Sequence, residues 1–349
     1  MKPIIIYGAG FEGIAAYHTF ITLELVDVLF FIDRDPNKIG KNKLLGHDVY
    51  SLEFLQQFKN KKITLIVAGK TSIPDMVAYA KSCGFNNILV YGDTGKQKKS
   101  RGETLFRELN QNRCIHLGKF LKTALGEQIT LKKMPYMNGA SDVLDYAFLL
   151  AVSKYYQRNT YLEVGTYIGS SIYNMAELGI SCYGITAEEN SPYSMADFCK
   201  FYNIPDFSNW LVKDKRIKMF FCKDSKEFDY SSITEKIDMY FIDADHSYGG
   251  VYTDTKNIFT IRDVDSIVVW HDFQQKYSYY DVVMAVKDVL GNNFKNVFIT
   301  DSNDCGIYLP EKYQNNLPLI KRIYDNHPKE LYCYNTTLDI DIIYNPRED

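Results

Sequence analysis

The segment Tyr161–Ser171, YLEVGTYIGSS, decides the fold class of this 349-residue chain. An apolar run carries an acid near its end, and two glycines, Gly165 and Gly169, then lead into a run with helical periodicity. A strand, a glycine turn and a helix in this order open a parallel sheet whose ligands lie beyond the carboxyl ends of its strands. Gly165 allows a ligand to lie against the backbone, and Glu163 can receive a positively charged amine.

The alternation of strands and helices continues on both sides of this segment. A helix is predicted over residues 141–157, with Ser141 as its N-cap. The strand-like runs read TYLEVG, SCYGIT, KMFFCKD, DMYFIDAD and SIVVWHDF, and the run VFITDSNDCGIYL predicts a final hairpin. Residues 141–349 therefore predict an α/β domain, with a doubly wound sheet of five parallel strands and an antiparallel edge hairpin.

Residues 1–93 predict a second, smaller parallel sheet. The strand-like runs PIIIYGAG, VDVLFFIDRD, ITLIVAG and NILVYGD alternate with helical runs, which is typical of a Rossmann-like domain. The basic, glycine-bounded segment Thr94–Glu103, TGKQKKSRGE, interrupts the pattern and predicts a linker. We therefore expect a domain over 1–93, a linker and helical adaptor over 94–140, and the larger domain over 141–349.

The first glycine turn, YGAGFEG, follows a strand and places Gly8, Gly10 and Gly13 in a GxGxxG pattern, with Asp33 twenty residues further on. Such a turn admits a phosphate, and the acid can receive ribose hydroxyls. The sheet is too small for a complete dehydrogenase, so a nucleotide or nucleotide-sugar site and a retained fold without a ligand are both open. The runs YGAGFEG, FIDRDPNKIG and LLGHDVYSLEFL resemble the N-terminal domain of bacterial sugar acyltransferases, which holds a nucleotide-activated sugar; the resemblance covers residues 3–93.

Two later strands end in acids and histidines. The run FIDADHSYGG places Asp243, Asp245 and His246 after one strand, and VVWHDF places His271 and Asp272 after the next. Because neighbouring parallel strands end at one edge of a sheet, we expect these side chains to lie together. Carboxylates suit a hard divalent cation, and a histidine beside them can act as a general base.

The pattern ExGxxxG after a strand resembles the class I S-adenosylmethionine-dependent methyltransferases. In that family the acid and glycines hold the methionine part of S-adenosylmethionine, and the ends of the next two strands hold ribose and adenine. The next strand here carries Thr186 where the family has an acid; either Glu188 reaches back to the ribose, or the ribose is held differently. The positions that this resemblance assigns to the cofactor are Glu163, Gly165, Gly169, Glu188, Asp224 and Ser225.

The runs FIDADHSYGGVYTD and VVWHDF resemble the O-methyltransferase branch that modifies sugars and macrolides, which shares its site layout with catechol-type enzymes. The resemblance covers residues 140–309 and implies a Mg²⁺ ion bound by Asp243 and Asp272. Phe273 stands where catechol-type enzymes carry an amide ligand, so Asp245 is expected to complete the coordination. His246 or His271 is then the base, with His246 preferred.

The composition is that of a soluble protein. The net charge of −3 gives no support for binding to nucleic acid or to a membrane surface, and seven scattered cysteines without a CxxC pair argue for reduced thiols in a cytoplasm. We expect a cytoplasmic O-methyltransferase whose acceptor is a sugar or nucleotide-sugar of polysaccharide or glycoside biosynthesis, with homo-oligomerisation left open. The rival hypotheses are an NAD-dependent oxidoreductase using the first glycine turn, and a non-catalytic nucleotide-sugar-binding protein.

Overall fold

The computed structural model divides the chain into two compact units. The first comprises Met1–Arg101, Glu188–Asp206 and Ser247–Gly250, and the second comprises Gly102–Ala187, Phe207–His246 and Val251–Asp349. The structure describes residues 2–10, 12–14, 16–17, 26–40, 43–59, 61–69, 73–91, 94–126, 128–134, 141–189, 191, 208–273 and 280–321.

The first unit contains a five-stranded sheet with the order β3-β2-β1-β4-β5, in which every pairing is parallel. Its strands are β1 (Lys2–Tyr7), β2 (Val26–Ile32), β3 (Val49–Tyr50), β4 (Thr64–Val67) and β5 (Ile88–Val90). Ile4 and Ile6 of β1 pack into one apolar layer, and Ile5 and Tyr7 pack into the other, because successive side chains of a strand face opposite sides. The predicted parallel sheet is confirmed, and β3 is an addition to it.

The second unit contains a nine-stranded sheet with the order β14-β6-β12-β13-β11-β10-β7-β8-β9. The strands are β6 (Cys114–Ile115), β7 (Thr160–Val164), β8 (Ser181–Ala187), β9 (Ile217–Cys222), β10 (Met239–Ile242), β11 (Ile267–Trp270), β12 (Val297–Thr300), β13 (Gly306–Tyr308) and β14 (Leu319–Ile320). The strands β7 to β11 are parallel, and β13 is antiparallel to both β11 and β12. This arrangement confirms the predicted doubly wound sheet with its antiparallel edge; β6 and β14 extend that edge.

The helices cover the sheets. They are α1 (Ile73–Ser82), α2 (Thr94–Asn112), α3 (Leu117–Leu125), α4 (Val143–Tyr155), α5 (Ser170–Glu177), α6 (Tyr248–Ile261) and α7 (Tyr280–Leu290). Residues 12–14 and 16–17 are also helical, and the predicted helix after β3 is a 3₁₀ helix, Leu52–Phe58. Among the residues that the structure describes, no helix combines the length and the hydrophobicity needed to cross a membrane.

The segment Thr94–Glu103, predicted as a linker, is instead the first half of α2. Its glycine, Gly102, is a packing residue: a Cβ atom at that position would overlap the ring of Tyr280. The absence of a side chain lets helix and ring approach closely, which compensates for the low helix propensity of glycine. The segment is therefore helical, and its role as a connection between the domains stays a prediction.

The N-cap of α4 is Asp142, one residue beyond the predicted Ser141. The backbone amide of Leu144 donates to Asp142 Oδ1 at 3.3 Å, and the amide of Asp142 donates to Asp145 Oδ2 at 2.8 Å. This reciprocal pair is a capping box, which satisfies amide groups that the first helical turn leaves without partners. The helix therefore begins where a carboxylate can cap it.

Candidate functional site

The glycine turn after β7 has little room for side chains. Gly165 has φ +92°, and a Cβ atom there would overlap the backbone carbonyl oxygen of Asp243. Gly169 also has φ +92° and is the N-cap of α5; a Cβ atom there would lie 2.5 Å from Val212 Cγ1. The close approach of β7 and β10 thus requires the first glycine, and the turn into α5 requires the second.

Glu163 lies inside this edge of the sheet and is fully buried. Tyr161 Oη donates to its Oε2 at 2.6 Å, and Ser171 Oγ donates to its Oε1 at 2.8 Å. Burial raises the pKa of Glu163 to about 8, although the two hydroxyl donors act in the opposite direction. The carboxyl is therefore largely protonated at neutral pH, and a cation bound beside it would favour its charged form.

Two buried polar atoms beside the turn have no hydrogen-bond partner among the described residues. They are Thr166 Oγ1 and Asn209 Oδ1. The amide of Asn209 donates to the carbonyl of Tyr167 at 2.6 Å, which holds residue 209 against the turn. Buried polar groups in folded proteins are normally paired, so two orphaned atoms at one turn indicate a place for a polar ligand.

The ends of β10 and β11 bring together Asp243, His246 and Asp272, whose ligand atoms all lie within 4.8 Å of one another. His246 Nε2 lies 3.2 Å from Asp243 Oδ1, and His246 Nδ1 lies 3.1 Å from Asp272 Oδ2. Asp272 has a left-handed backbone, with φ +51°, which few non-glycine residues adopt. Strained conformations of this kind cluster at functional sites.

His271 contacts the same acids from the other side. Its Nδ1 lies 3.4 Å from Asp243 Oδ1 and 3.7 Å from Asp272 Oδ2, and its Nε2 lies 3.2 Å from Asp145 Oδ2. The His271 side chain is 11% exposed and that of His246 is 40% exposed. The sequence predicted both histidines as candidate bases, but the side chain of His246 is much more exposed to solvent than that of His271.

The acids and histidines of this cluster shift one another's pKa values. Burial alone would raise the pKa of Asp243, but the adjacent His271 and His246 outweigh it and hold that pKa well below its usual range. Burial alone would lower the pKa of His246, yet Asp272 and Asp243 raise it to about 9. Burial alone would also lower the pKa of His271, but the neighbouring acids, above all Asp243, raise that pKa well above its usual value. Two imidazolium groups thus balance the acids when no other cation is bound.

Asp245 lies outside the trio Asp243, His246 and Asp272, although the sequence predicted it as a metal ligand. Its Oδ2 lies 3.9 Å from Lys226 Nζ, and that ammonium also lies 3.2 Å from Asp224 Oδ2. In a continuing strand Asp243 and Asp245 would share a face, but β10 ends at Ile242, so the two side chains reach different neighbours. Asp245 and Asp224 therefore share a lysine, and the position expected for Asp245 beside the two acids is taken by histidine.

The other residues predicted to bind the cofactor have defined partners. Asp224 Oδ1 accepts from the amide of Lys226 at 2.9 Å and so caps a 3₁₀ turn, while Ser225 Oγ donates to the buried Asp254 at 3.1 Å. Thr186 is buried in β8, and Glu188, half-buried, directly follows that strand. The assignments of adenine to Asp224 and Ser225 and of ribose to Glu188 remain predictions.

In the first unit, the three glycines of the turn after β1 differ in the space available for a side chain. A Cβ atom on Gly8 would overlap the carbonyl of Ala68, and one on Gly13 would overlap the carbonyl of Gly8. At Gly10, however, the one atom of the described residues that a Cβ atom would meet is Lys38 Nζ, at 3.7 Å. Asp33 Oδ2 accepts from the amide of Ala9 at 2.7 Å and lies 3.5 Å from Lys38 Nζ.

Sequence reasoning missed several residues of the second unit's site. These are Asp145, Thr166, Asn209, Lys226 and Asp254. A capping pattern in SDVLD could have marked Asp145 as an acid of the first helical turn, but nothing local links it to His271, which is 126 residues away. The orphaned atoms at residues 166 and 209 have no pattern in the sequence at all.

Comparison with known proteins identifies part of the second unit. Residues 162–273 match the model of a family described as a methyltransferase domain. The match begins in β7, ends just after β11, and includes the glycine turn and both acid-bearing strand ends. These residues are therefore similar to a methyltransferase domain. No curated protein sequence matches it.

Several solved structures resemble parts of the chain at low identity. The SAH-bound methyltransferase PaMTH1 of Podospora anserina is 14% identical, with 64% of this chain and 95% of that chain covered and a TM-score of 0.35. A putative caffeoyl-CoA O-methyltransferase of Staphylococcus aureus is 16% identical, with coverage of 49% and 85% and a TM-score of 0.35. CalS11, a TDP-rhamnose 3'-O-methyltransferase, is 12% identical, with coverage of 47% and 78% and a TM-score of 0.36.

Proposed function

We propose that the chain is an S-adenosylmethionine-dependent O-methyltransferase that uses a divalent metal ion and acts on a hydroxyl group of a sugar or sugar-like compound. The observation that carries this proposal is the edge of the second sheet, where a glycine turn with orphaned polar atoms adjoins a pair of acids and two histidines. The match of residues 162–273 to a methyltransferase domain supports the reaction class.

The residues at the glycine turn fit S-adenosylmethionine. Glu163 is a buried carboxyl that can receive the ammonium of the methionine part, and Thr166 Oγ1 and Asn209 Oδ1 are buried polar atoms that a ligand would satisfy. The amides at the start of α5 favour a negatively charged group. When bound, the cofactor supplies a sulfonium methyl group, so the protein has to align the acceptor and remove its proton.

The acids at the strand ends fit a divalent metal ion. Asp243 and Asp272 offer carboxylate oxygens at the ends of adjacent strands, and the two imidazolium groups that balance them would give way to a metal. A bound divalent ion would lower the pKa of an acceptor hydroxyl. His246, with 40% of its side chain exposed, stands where it can take the proton from that hydroxyl.

The choice of a sugar acceptor rests on the sequence resemblance of FIDADHSYGGVYTD and VVWHDF to sugar-modifying enzymes. A hydroxyl of a sugar is a weak acid, and a site with both a cation and a base suits it better than a site with a base alone.

The cofactor assignment is tested with S-adenosylhomocysteine, which contains the same amine. We expect it to bind the full chain in calorimetry, and we expect Glu163→Gln to weaken binding by about 1.5–3 kcal/mol because a charge-assisted hydrogen bond is lost. Glu235→Gln is the matched control, because Glu235 pairs with Lys218 on the surface. Equal affinities of wild type and Glu163→Gln would contradict the assignment, and transfer of a labelled methyl group to a polyol tests the reaction.

We propose further that the first unit binds a nucleotide or nucleotide-sugar. Of the three glycines in its turn, Gly10 alone has an open Cβ position among the described residues, and the one described atom near that position is the ammonium nitrogen of Lys38. Open space beside a cation suits a phosphate group. This observation favours a ligand over a retained fold without one.

A further inference from the structure

We infer that His271 is a nitrogen ligand of the metal ion held by Asp243 and Asp272, and that Asp145 is the positioning residue that orients it. This inference rests on the metal ion in the proposed function and adds the identity of a ligand, its support and the class of metal. It assigns the two histidines different tasks: the buried one holds the metal, and the exposed one, His246, meets the acceptor.

The orientation of the two rings distinguishes them. His271 presents one nitrogen, Nδ1, to both acids, at 3.4 Å from Asp243 Oδ1 and 3.7 Å from Asp272 Oδ2. In a tetrahedral site with bonds of about 2.1 Å, neighbouring ligand atoms lie roughly 3.4 Å apart. His246, by contrast, makes its two short contacts through different nitrogens, Nε2 with Asp243 and Nδ1 with Asp272. One of its nitrogens lies within 4.8 Å of both acids, so the test has to separate the two rings.

The other side of the His271 ring is fixed. Its Nε2 lies 3.2 Å from Asp145 Oδ2, and Asp145 is 1% exposed. The same carboxylate accepts from the amides of Asp142 at 2.8 Å and Asp304 at 3.0 Å, and from Cys305 Sγ at 3.5 Å. These donors hold Asp145 in place, so the protonated Nε2 of His271 donates a hydrogen bond to Asp145. Nδ1 is then the nitrogen that is left to bind a metal.

This arrangement is a carboxylate–histidine–metal relay, in which an outer carboxylate orients a histidine ligand and increases its basicity. Mg²⁺ prefers oxygen ligands, whereas imidazole nitrogen suits Fe²⁺, Ni²⁺, Cu²⁺ and Zn²⁺. The donor set of two carboxylates and one imidazole therefore favours a transition-metal ion over the Mg²⁺ that the sequence resemblance implies.

The test uses the full chain, freed of metal and loaded with Mn²⁺. Electron spin echo spectroscopy detects the ¹⁴N coupling of an imidazole bound to Mn²⁺. We expect this coupling in the wild type and in His246→Ala, and we expect it to be absent in His271→Ala. Asp145→Asn should weaken Mn²⁺ binding ten- to a hundredfold while Mn²⁺ at saturation restores the ¹⁴N coupling. Binding of S-adenosylhomocysteine checks that each variant is folded.

The remaining outcomes overturn the inference in separable ways. Bound Mn²⁺ without ¹⁴N coupling in the wild type means an all-oxygen site, which leaves the metal in the proposed function intact. If the ¹⁴N coupling survives in His271→Ala and disappears in His246→Ala, the metal ligand is His246 and the inference is wrong. If the chain binds S-adenosylhomocysteine but does not bind Mn²⁺, the metal ion in the proposed function is wrong as well. The acids and histidines then form an ion-pair network without a metal.

Discussion

Gly165 lies so close to Asp243 that a methyl group on the glycine would overlap the backbone carbonyl oxygen of the acid. The two residues follow adjacent parallel strands, β7 and β10, at the edge where the cofactor and metal are proposed to bind. The glycine turn after β7 and the acid-bearing end of β10 are thus packed backbone to backbone. A substitution that moves either backbone therefore moves the other as well.

We predict that Gly165→Ala strongly destabilises the second unit. The substitution combines a left-handed backbone, φ +92°, with overlap against Asp243, and we expect a loss of at least about 2 kcal/mol in the free energy of unfolding. Chemical denaturation measures this loss. Gly179→Ala is the control: Gly179 has φ +79° but nothing within 4 Å of its Cβ position, so only the conformational cost of about 1 kcal/mol is expected. Equal losses would show that the contact with Asp243 is unimportant.

We predict that binding of S-adenosylhomocysteine releases a proton from Glu163. The pKa of this buried carboxyl is raised to about 8, so it is mostly protonated at pH 7 in the free protein. An ammonium beside it favours the ionised form, so the affinity should increase as the pH rises from about 6.5 through 8. Calorimetry in two buffers of different ionisation enthalpy counts the protons. Glu163→Gln should release none; a proton count that is the same in that variant would assign the release to another group.

We predict that Asp254 makes the protein less stable at high pH. Burial raises its pKa from 3.8 to about 7 in the folded protein, although the hydrogen bond from Ser225 acts in the opposite direction. The folded state therefore binds more protons between these values, so stability falls as the pH rises from about 4 through 7. Asp254→Asn should flatten this dependence and raise the free energy of unfolding at pH 8 by up to about 4 kcal/mol.

Urea denaturation at pH 5 and pH 8 checks this expectation. Asp265→Asn is the control, because Asp265 is a surface carboxylate paired with Lys312, and its pKa is lowered. It should leave the slope between the two pH values unchanged. A slope that is equally steep in Asp254→Asn would place the responsible group elsewhere.

We predict that Gly10→Val leaves the first unit folded and removes its nucleotide-sugar binding. Within the described part of the chain, the Cβ position of Gly10 meets the flexible end of Lys38 and nothing else. The side chain should therefore fit without strain on the backbone and occupy the space of a phosphate. Thermal denaturation with a panel of nucleotide-sugars measures both effects. Gly8→Ala, by contrast, should unfold the unit because its Cβ atom would overlap the carbonyl of Ala68. Ligand-induced stabilisation that persists in Gly10→Val would argue for a site away from this turn.

The sequence allowed most of both sheets to be predicted, because hydrophobic runs, glycine turns and strand–helix alternation are local signals. It did not reveal β6 and β14, each two residues long, since such short strands carry no periodicity. The helix at Thr94–Asn112 was missed for a different reason. The partner that makes Gly102 favourable, Tyr280, is far away in sequence.

The same distinction holds for the site. Asp243, His246, His271 and Asp272 could be predicted together because they follow strands that are neighbours in a doubly wound sheet. Asp145 comes from the start of α4, and its contact with His271 depends on how that helix packs, which no local pattern specifies. Asp245 was assigned to the metal by its position in the sequence, whereas the structure places it beside Lys226.

The left-handed backbone at Asp272 limits which amino-acid substitutions evolution can make at this position. Among residues other than glycine, aspartate and asparagine tolerate that conformation best, because their short polar side chains can bond to the local backbone. A chain can therefore exchange a carboxylate for an amide at this position by a single substitution. A β-branched or bulky residue would first require a different turn. The backbone at this position thus favours aspartate, asparagine or histidine over other side chains.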